Sequence, residues 1–318
     1  MNSYWRIISI LVITLVSHQA MAADFSINLV PKHPEPNSEA IIKINASGVD
    51  LDRSAITWII DGKTVEKGTG KKSIHFTMPD LGKTSKITAY VTPSSGYQKT
   101  QTLRVTGHDI DILWEAQTYT PSWYQGKALP VLGSEIKFTA IPHFYSSGSL
   151  LSRSSLIYDW YLNYKKMIQS SGTGKNSFTL KNNGSNEHTV SVVVSSPGGS
   201  IEFEKTIILP VKTKTKIIFY EESPLLGTMF NNTLKGVYNL VNNLLRLKVE
   251  PFYFSKGQTN QLSYQWKMND KNINWEEQPD IMDLEKSSDA SGVATINLEI
   301  KNLINLFQTA QGNLKINF

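Results

Sequence analysis

Leu156-Ile157-Tyr158-Asp159-Trp160-Tyr161-Leu162-Asn163-Tyr164-Lys165 alternates in polarity around a central tryptophan and then breaks into a turn. Period-two alternation bounded by Asn, Asp or Gly is the signature of a half-buried strand entering a hairpin. The same reading recurs upstream in Ala55-Ile56-Thr57-Trp58-Ile59-Ile60-Asp61-Gly62-Lys63. It recurs downstream in Leu262-Ser263-Tyr264-Gln265-Trp266-Lys267-Met268-Asn269-Asp270-Lys271. The tryptophans stand 102 and 106 residues apart, at 58, 160 and 266. One strand written three times at a domain-sized interval predicts three tandem domains, 23–107, 108–211 and 212–318.

Outward from each tryptophan the neighbouring segments repeat as well. Ala40-Ile41-Ile42-Lys43-Ile44 precedes the first, Lys137-Phe138-Thr139-Ala140-Ile141-Pro142 the second, and Leu247-Lys248-Val249-Glu250-Pro251-Phe252 the third. Gly68-Thr69-Gly70-Lys71 follows Trp58 and Gly172-Thr173-Gly174-Lys175 follows Trp160, with no counterpart after Trp266. Short alternating segments with Gly/Pro turns predict an all-β chain of two-sheet sandwiches. Trp58, Trp160 and Trp266 are then the central core residues, each inside a layer about 10 Å thick. In the third domain Leu303, Leu306 and Phe307 have i, i+3, i+4 spacing, which predicts a short helix over 301–308.

Composition narrows the class of protein. There are 32 Lys and Arg against 27 Asp and Glu, a formal net charge of +5. The excess is small and scattered, which argues against a nucleic-acid partner. Residues 1–22 read as a secretory leader: Arg6, an apolar run Ile7–Val16, and Ala20-Met21-Ala22 before a cleavage point at Ala23. That run is about half the length needed to span a bilayer, so the mature chain is expected to be exported with no transmembrane segment, to the periplasm, cell surface or exterior. Cysteine is absent, which removes disulfides, thiolate metal sites and cysteine nucleophiles.

The strand–Trp–turn–Lys unit, the Gly-x-Gly-Lys segment and the closing Val-Ser-Val-type hairpin together resemble the PKD and bacterial Ig-like modules of exported surface proteins. The resemblance covers nearly all of residues 25–318 and is weakest in the third domain. It implies three tandem Ig/PKD-like sandwiches serving as spacers, adhesion units or assembly subunits. The missing inter-sheet disulfide, usual in eukaryotic secreted Ig domains, fits a bacterial source.

Titratable residues give no catalytic set. His33, His75, His108, His143 and His188 lack metal-ligand spacing. His108-Asp109-Ile110-Asp111 reads as a polar linker between domains, and Asp50 and Asp52 as turn residues. Gly68-x-Gly-Lys and Gly172-x-Gly-Lys lack the spacing and the strand-to-helix context of a phosphate loop. Lys212-Thr213-Lys214-Thr215-Lys216 reads as a solvated linker. Neither an enzymatic activity nor a cofactor is therefore expected.

One feature exceeds the sandwich template. Trp114-Glu115-Ala116-Gln117-Thr118-Tyr119-Thr120-Pro121-Ser122-Trp123-Tyr124 opens the second domain. Tyr220-Glu221-Glu222-Ser223-Pro224-Leu225-Leu226-Gly227-Thr228-Met229-Phe230 opens the third. Trp114, Tyr119, Trp123, Tyr124, Leu225, Leu226, Met229 and Phe230 are the candidate contact residues. Packing on the preceding module is the first expectation, a protein partner of the envelope or surface the second, and stacking of Trp123 and Tyr124 on a glycan the third. The expected function is a non-enzymatic structural or adhesive interaction protein, with carbohydrate binding through the aromatic loop as the alternative.

Overall fold

The computed structural model describes residues 25–94, 96–184, 187–210, 213–273, 278–287 and 291–318. The leader expected over 1–22 lies outside the described residues. The fold is all-β: among the described residues there is no α-helix, only three single turns of 3₁₀-helix. The chain divides into two compact units, one ending at Gly107 and the other running from His108 to Phe318.

In the first unit, Phe25–Val30, Glu39–Ala46 and Ser73–Thr77 form one antiparallel sheet. Lys63–Thr69, Ala55–Ile60, Thr84–Thr92 and Lys99–Thr106 form the other, in that order. Alternation sends Ile42 and Ile44 from the first sheet, and Ile56, Trp58, Ile87 and Ala89 from the second, into one core.

The second unit contains two such cores. Around Trp160, Ser177–Lys181, Glu135–His143 and Asp109–Ala116 make one sheet. Ile157–Leu162, Glu187–Ser195 and Glu202–Pro210 make most of the other. Around Trp266, Gly227–Leu234, Lys216–Ser223, Leu244–Phe252 and Ile281–Glu285 face a sheet of Gly236–Asn239, Thr309–Asn317, Val293–Asn302, Leu262–Met268 and Lys271–Ile273. The His108–Asp111 segment, read as a linker, is built into the sheet: Asp109 pairs with His143 in register, and Asp111 Oδ2 lies 3.0 Å from His143 Nε2.

The three tryptophans are held by one device. Each is at most 2% exposed. The Trp58 indole N–H donates to the Lys71 carbonyl at 2.8 Å, that of Trp160 to the Lys175 carbonyl at 2.9 Å, and that of Trp266 to the Pro279 carbonyl at 2.9 Å. This explains the Gly-x-Gly-Lys segments. Gly70 and Gly174 sit at φ +73° and +71°, which a Cβ would strain. That bend carries the next residue's carbonyl to the indole. A Cβ on Gly70 would also lie 3.1 Å from the Asp52 carbonyl oxygen, and on Gly174 3.1 Å from that of Ser154. The third core reaches the same bond through Pro279, without the glycines.

The hairpin turns repeat as closely. Asp61-Gly62, Asn163-Tyr164 and Asn269-Asp270 all have positive φ at both residues, the type I′ geometry that suits twisted strands. Each first residue also uses its side chain. Asp61 Oδ1 accepts the Lys86 N–H at 2.7 Å, Asn163 Oδ1 that of Thr189 at 2.9 Å, and Asn269 Oδ1 that of Thr295 at 2.9 Å. The turn is thereby tied to the adjacent strand, which fixes the register of the tryptophan strand.

The helix expected over 301–308 is not formed. Val293–Asn302 continues as strand, and 303–308 is a tight loop before Thr309–Asn317. The apolar positions have no core to face, because they lie at a solvent-exposed strand connection. Asn302 is fully buried, and its Oδ1 accepts the N–H groups of Ile304 and Asn305, both at 3.0 Å, in a turn that opens the loop. Leu303, Leu306 and Phe307, whose spacing suggested a helix, are 60%, 79% and 74% exposed, and Ile304 between them is 62% exposed.

Candidate functional site

The aromatic stretches that exceed the template meet at a joint inside the second unit. The segment 117–133 connects strands Asp109–Ala116 and Glu135–His143. It lies over the outer face of the sheet containing Lys216–Ser223 and Leu244–Phe252. Ile218, Tyr220 and Phe252 project on that face, opposite to the core residues Phe219, Leu247 and Val249.

Trp123 is the centre of the contact. Its ring stacks on Phe230 at 4.5 Å between centroids and meets Tyr220 and Phe252 edge-on at 5.7 and 6.1 Å. Tyr124 meets Phe252 at 5.2 Å, and its hydroxyl lies 3.2 Å from that of Tyr253. Val131, Phe252 and Tyr253 are buried here, with Leu129 and Ile218 packed against them. The Trp123 indole N–H is buried without a hydrogen-bond partner, unlike those of the core tryptophans. Trp114 stands at the base of the loop, where Lys127 Nζ lies 3.3 Å above its ring, a cation–π contact.

The backbone completes the joint. The Tyr119 N–H donates to the Phe254 carbonyl at 2.6 Å, the Tyr253 N–H to the Tyr119 carbonyl at 2.8 Å, and the Lys256 N–H to the Gln117 carbonyl at 2.9 Å. Tyr253 holds φ +68°, unusual for a bulky residue and maintained by this ladder. Gln308, 1% exposed, uses its whole hydrogen-bonding capacity. Its Nε2 donates to the Leu132 carbonyl at 3.2 Å and to Ser255 Oγ at 2.8 Å. Its Oε1 accepts from the Ser255 N–H at 2.9 Å and from Asn302 Nδ2 at 3.0 Å.

Beside the joint lies a polar recess of about 370 Å³ lined by Tyr119, Lys248, Glu250, Tyr264 and Asp280, among others. The Tyr119 hydroxyl donates to Glu250 Oε2 at 3.0 Å, and Lys248 Nζ pairs with Asp280. Burial raises the Glu250 carboxyl above its ordinary value. Burial, with the Glu250 charge behind it, pushes the Tyr119 hydroxyl up to about 12. Among the described residues no three His, Asp or Glu side chains are grouped to hold a metal.

The sequence-selected residues therefore divide. Trp123, Tyr124, Tyr119 and Phe230 come together, and the rings offered to a glycan are stacked on the chain's own residues. Trp123 and Tyr124 seat on the sandwich around Trp266, later in the chain, correcting the expectation that this loop faces the preceding module. The second stretch does meet the preceding sandwich, through Tyr220 and Phe230. Met229 is half-buried, while Leu225 and Leu226 stand at a hairpin tip, 93% and 75% exposed. Glu250, Tyr253, Asn302 and Gln308 belong to the joint and were missed. Their signal was the unbroken run Ile217-Ile218-Phe219-Tyr220, apolar on both faces, which implies a sheet covered on both sides.

No protein-family model matches the chain, and no curated protein matches it. Several solved structures show a weak likeness. The fibronectin(III)-like modules of Clostridium thermocellum CbhA are 12% identical, with 59% of this chain and 94% of that one covered at a TM-score of 0.28. The three N-terminal domains of the bacteriophage RB49 outer capsid protein Hoc are 11% identical, with 93% and 97% covered at 0.26. The Bacteroides ovatus protein SGBP-B, solved with a mixed-linkage heptasaccharide, is 12% identical, with 92% and 70% covered at 0.21. Scores this low carry no argument about activity.

Proposed function

We propose that the chain is an exported, non-enzymatic interaction protein of a bacterial envelope or surface, built of three Ig-like modules at 23–107, 108–211 and 212–318. The observation that carries this reading is the joint. Segment 117–133 spends its large aromatic residues on fastening one sandwich to the next. Such an investment suits a part that holds a fixed geometry between partners. A binding pocket for a small substrate would instead leave aromatic walls open. The leader-like residues 1–22 support export, and the absence of cysteine fits a bacterial source.

The test is retention of purified 23–318 on isolated envelopes before and after protease treatment. Saturable retention that protease abolishes supports a protein partner. Retention that survives protease and is competed by soluble polysaccharide would replace this reading with carbohydrate binding. No retention would overturn it.

A further inference from the structure

Two exposed apolar features of the second unit remain unused by the joint. The first is the hairpin tip, where Pro224, Leu225 and Leu226 stand free beyond Ser223. The second is a cleft of about 890 Å³ beside the joint, bordered by Leu132, Ile304, Leu306, Phe307, Lys181 and Lys256. Isolated exposed hydrophobic residues are ordinary, but a contiguous apolar loop beside a cleft marks a contact surface.

The two features are complementary in shape and charge. The tip is narrow and convex, closed by a three-residue turn between Ser223 and Gly227. Its base carries Glu221, which accepts the Tyr238 hydroxyl at 3.1 Å, and Glu222, whose Oε2 is buried. Arg246, on which the Glu222 charge acts, is paired with Asp283 through bonds of 2.7 and 2.8 Å, so the base keeps a net negative charge. The cleft is concave, and Lys181 and Lys256 outnumber Glu135 on its rim. The tip cannot reach the cleft of its own chain. Lys216 pairs with Phe252, at the joint end of the sheet, and Glu221 with Leu247. From Lys216 to Ser223 the strand runs about 20 Å at ~3.3 Å per residue, which sets the tip past the Trp123–Phe230 contact, at the opposite end of the strand from Phe252.

We infer that the hairpin tip 223–227 of one copy seats in the cleft at Leu132 and 304–307 of a second copy, joining the chains head to tail. The inference rests on the reading of the protein as an interaction module and names one partner, the chain itself. Two different patches make a heterologous contact. Each copy keeps a free tip and a free cleft, so assembly continues into an open filament or a closed ring.

The experiment is sedimentation of 23–318 over about 1–100 µM, the range in which micromolar contacts register. The wild type is expected to grow beyond dimers with concentration. A tip variant, Leu225→Asp/Leu226→Asp, and a cleft variant, Ile304→Asp/Phe307→Asp, each stay single. Both keep the wild-type melting temperature, because all four side chains are exposed. An equal mixture of the two retains one intact tip and one intact cleft, and forms a heterodimer and nothing larger. Lys181→Glu/Lys256→Glu weakens assembly at least tenfold, and salt weakens that of the wild type. A wild type that stays single at every concentration overturns the inference. So does assembly by either variant, or a mixture that forms no dimer. Any of these leaves the envelope-retention test standing, so the two readings fail separately.

Discussion

The core tryptophans and the joint tryptophan solve different problems. Trp58, Trp160 and Trp266 are sealed inside sandwiches, and each indole N–H has a carbonyl waiting. Trp123 is held by rings on several sides, yet its N–H has no partner. A core position specifies both shape and hydrogen bond. The joint relies on apolar contact and aromatic geometry, and leaves specificity to the Gln117–Tyr119 ladder and to Gln308. Individual folding thus depends on the first kind of tryptophan, and coupling of two sandwiches on the second.

The largest expected effect tests this division. Trp160→Ala should cost about 3–5 kcal/mol by opening a cavity in a dense core. A thermal melt showing a loss below about 1 kcal/mol would contradict the core assignment. Trp123→Ala should cost less, about 2–3 kcal/mol, and act differently. Calorimetry should show the single transition of 108–318 splitting into two. A lowered but still single transition would mean that the ladder alone couples the sandwiches.

Subtler changes sharpen the contrast. Gln308→Leu strips partners from the Ser255 N–H and the Leu132 carbonyl, and should cost about 1–3 kcal/mol of stability. Trp160→Phe orphans the Lys175 carbonyl, whereas Trp123→Phe removes a donor that already lacks an acceptor. The first should destabilise more than the second by about 1 kcal/mol in denaturant titration. Equal losses would erase the distinction between the two kinds of site.

The smallest effect is a pH dependence. The folded Glu250 carboxyl titrates above its unfolded value, chiefly through burial. Its contribution is therefore fully present below the ordinary carboxylate range and is lost as pH rises through the raised value. Beside burial, Tyr119 and Lys248 pull the carboxyl down and Asp280 pushes it up, while the Glu250 charge in turn raises Tyr220 and Tyr264. Glu250→Gln should remove that component, so the wild type minus variant stability difference falls as pH rises above the ordinary carboxylate range. A difference that rises there would place Glu250 in a salt bridge instead.

The repeated template was legible because its determinants are local. Strand alternation, the Asx turn and the Gly-x-Gly-Lys bend all lie within about 15 residues of their tryptophan. The joint was only half legible, because Tyr119 and Glu250 are 131 residues apart. Aromatic richness around Trp123 announced a contact but not its partner. At 301–308 periodicity pointed to a helix, but Leu303, Leu306 and Phe307 stand exposed in a loop between two strands. Apolar spacing alone does not say whether a core lies opposite to receive the stripe.

Segment 117–133 precedes its seat in the order of synthesis. Trp123 leaves the ribosome about 100 residues before Tyr220, and Phe252 follows later still. At roughly 5–20 residues per second this is an interval of about 5–20 s. Throughout it the aromatic loop has nothing of its own chain to cover it. A chain interrupted before Tyr220 thus exposes apolar rings that the whole chain buries, the kind of surface that makes partial chains prone to aggregate.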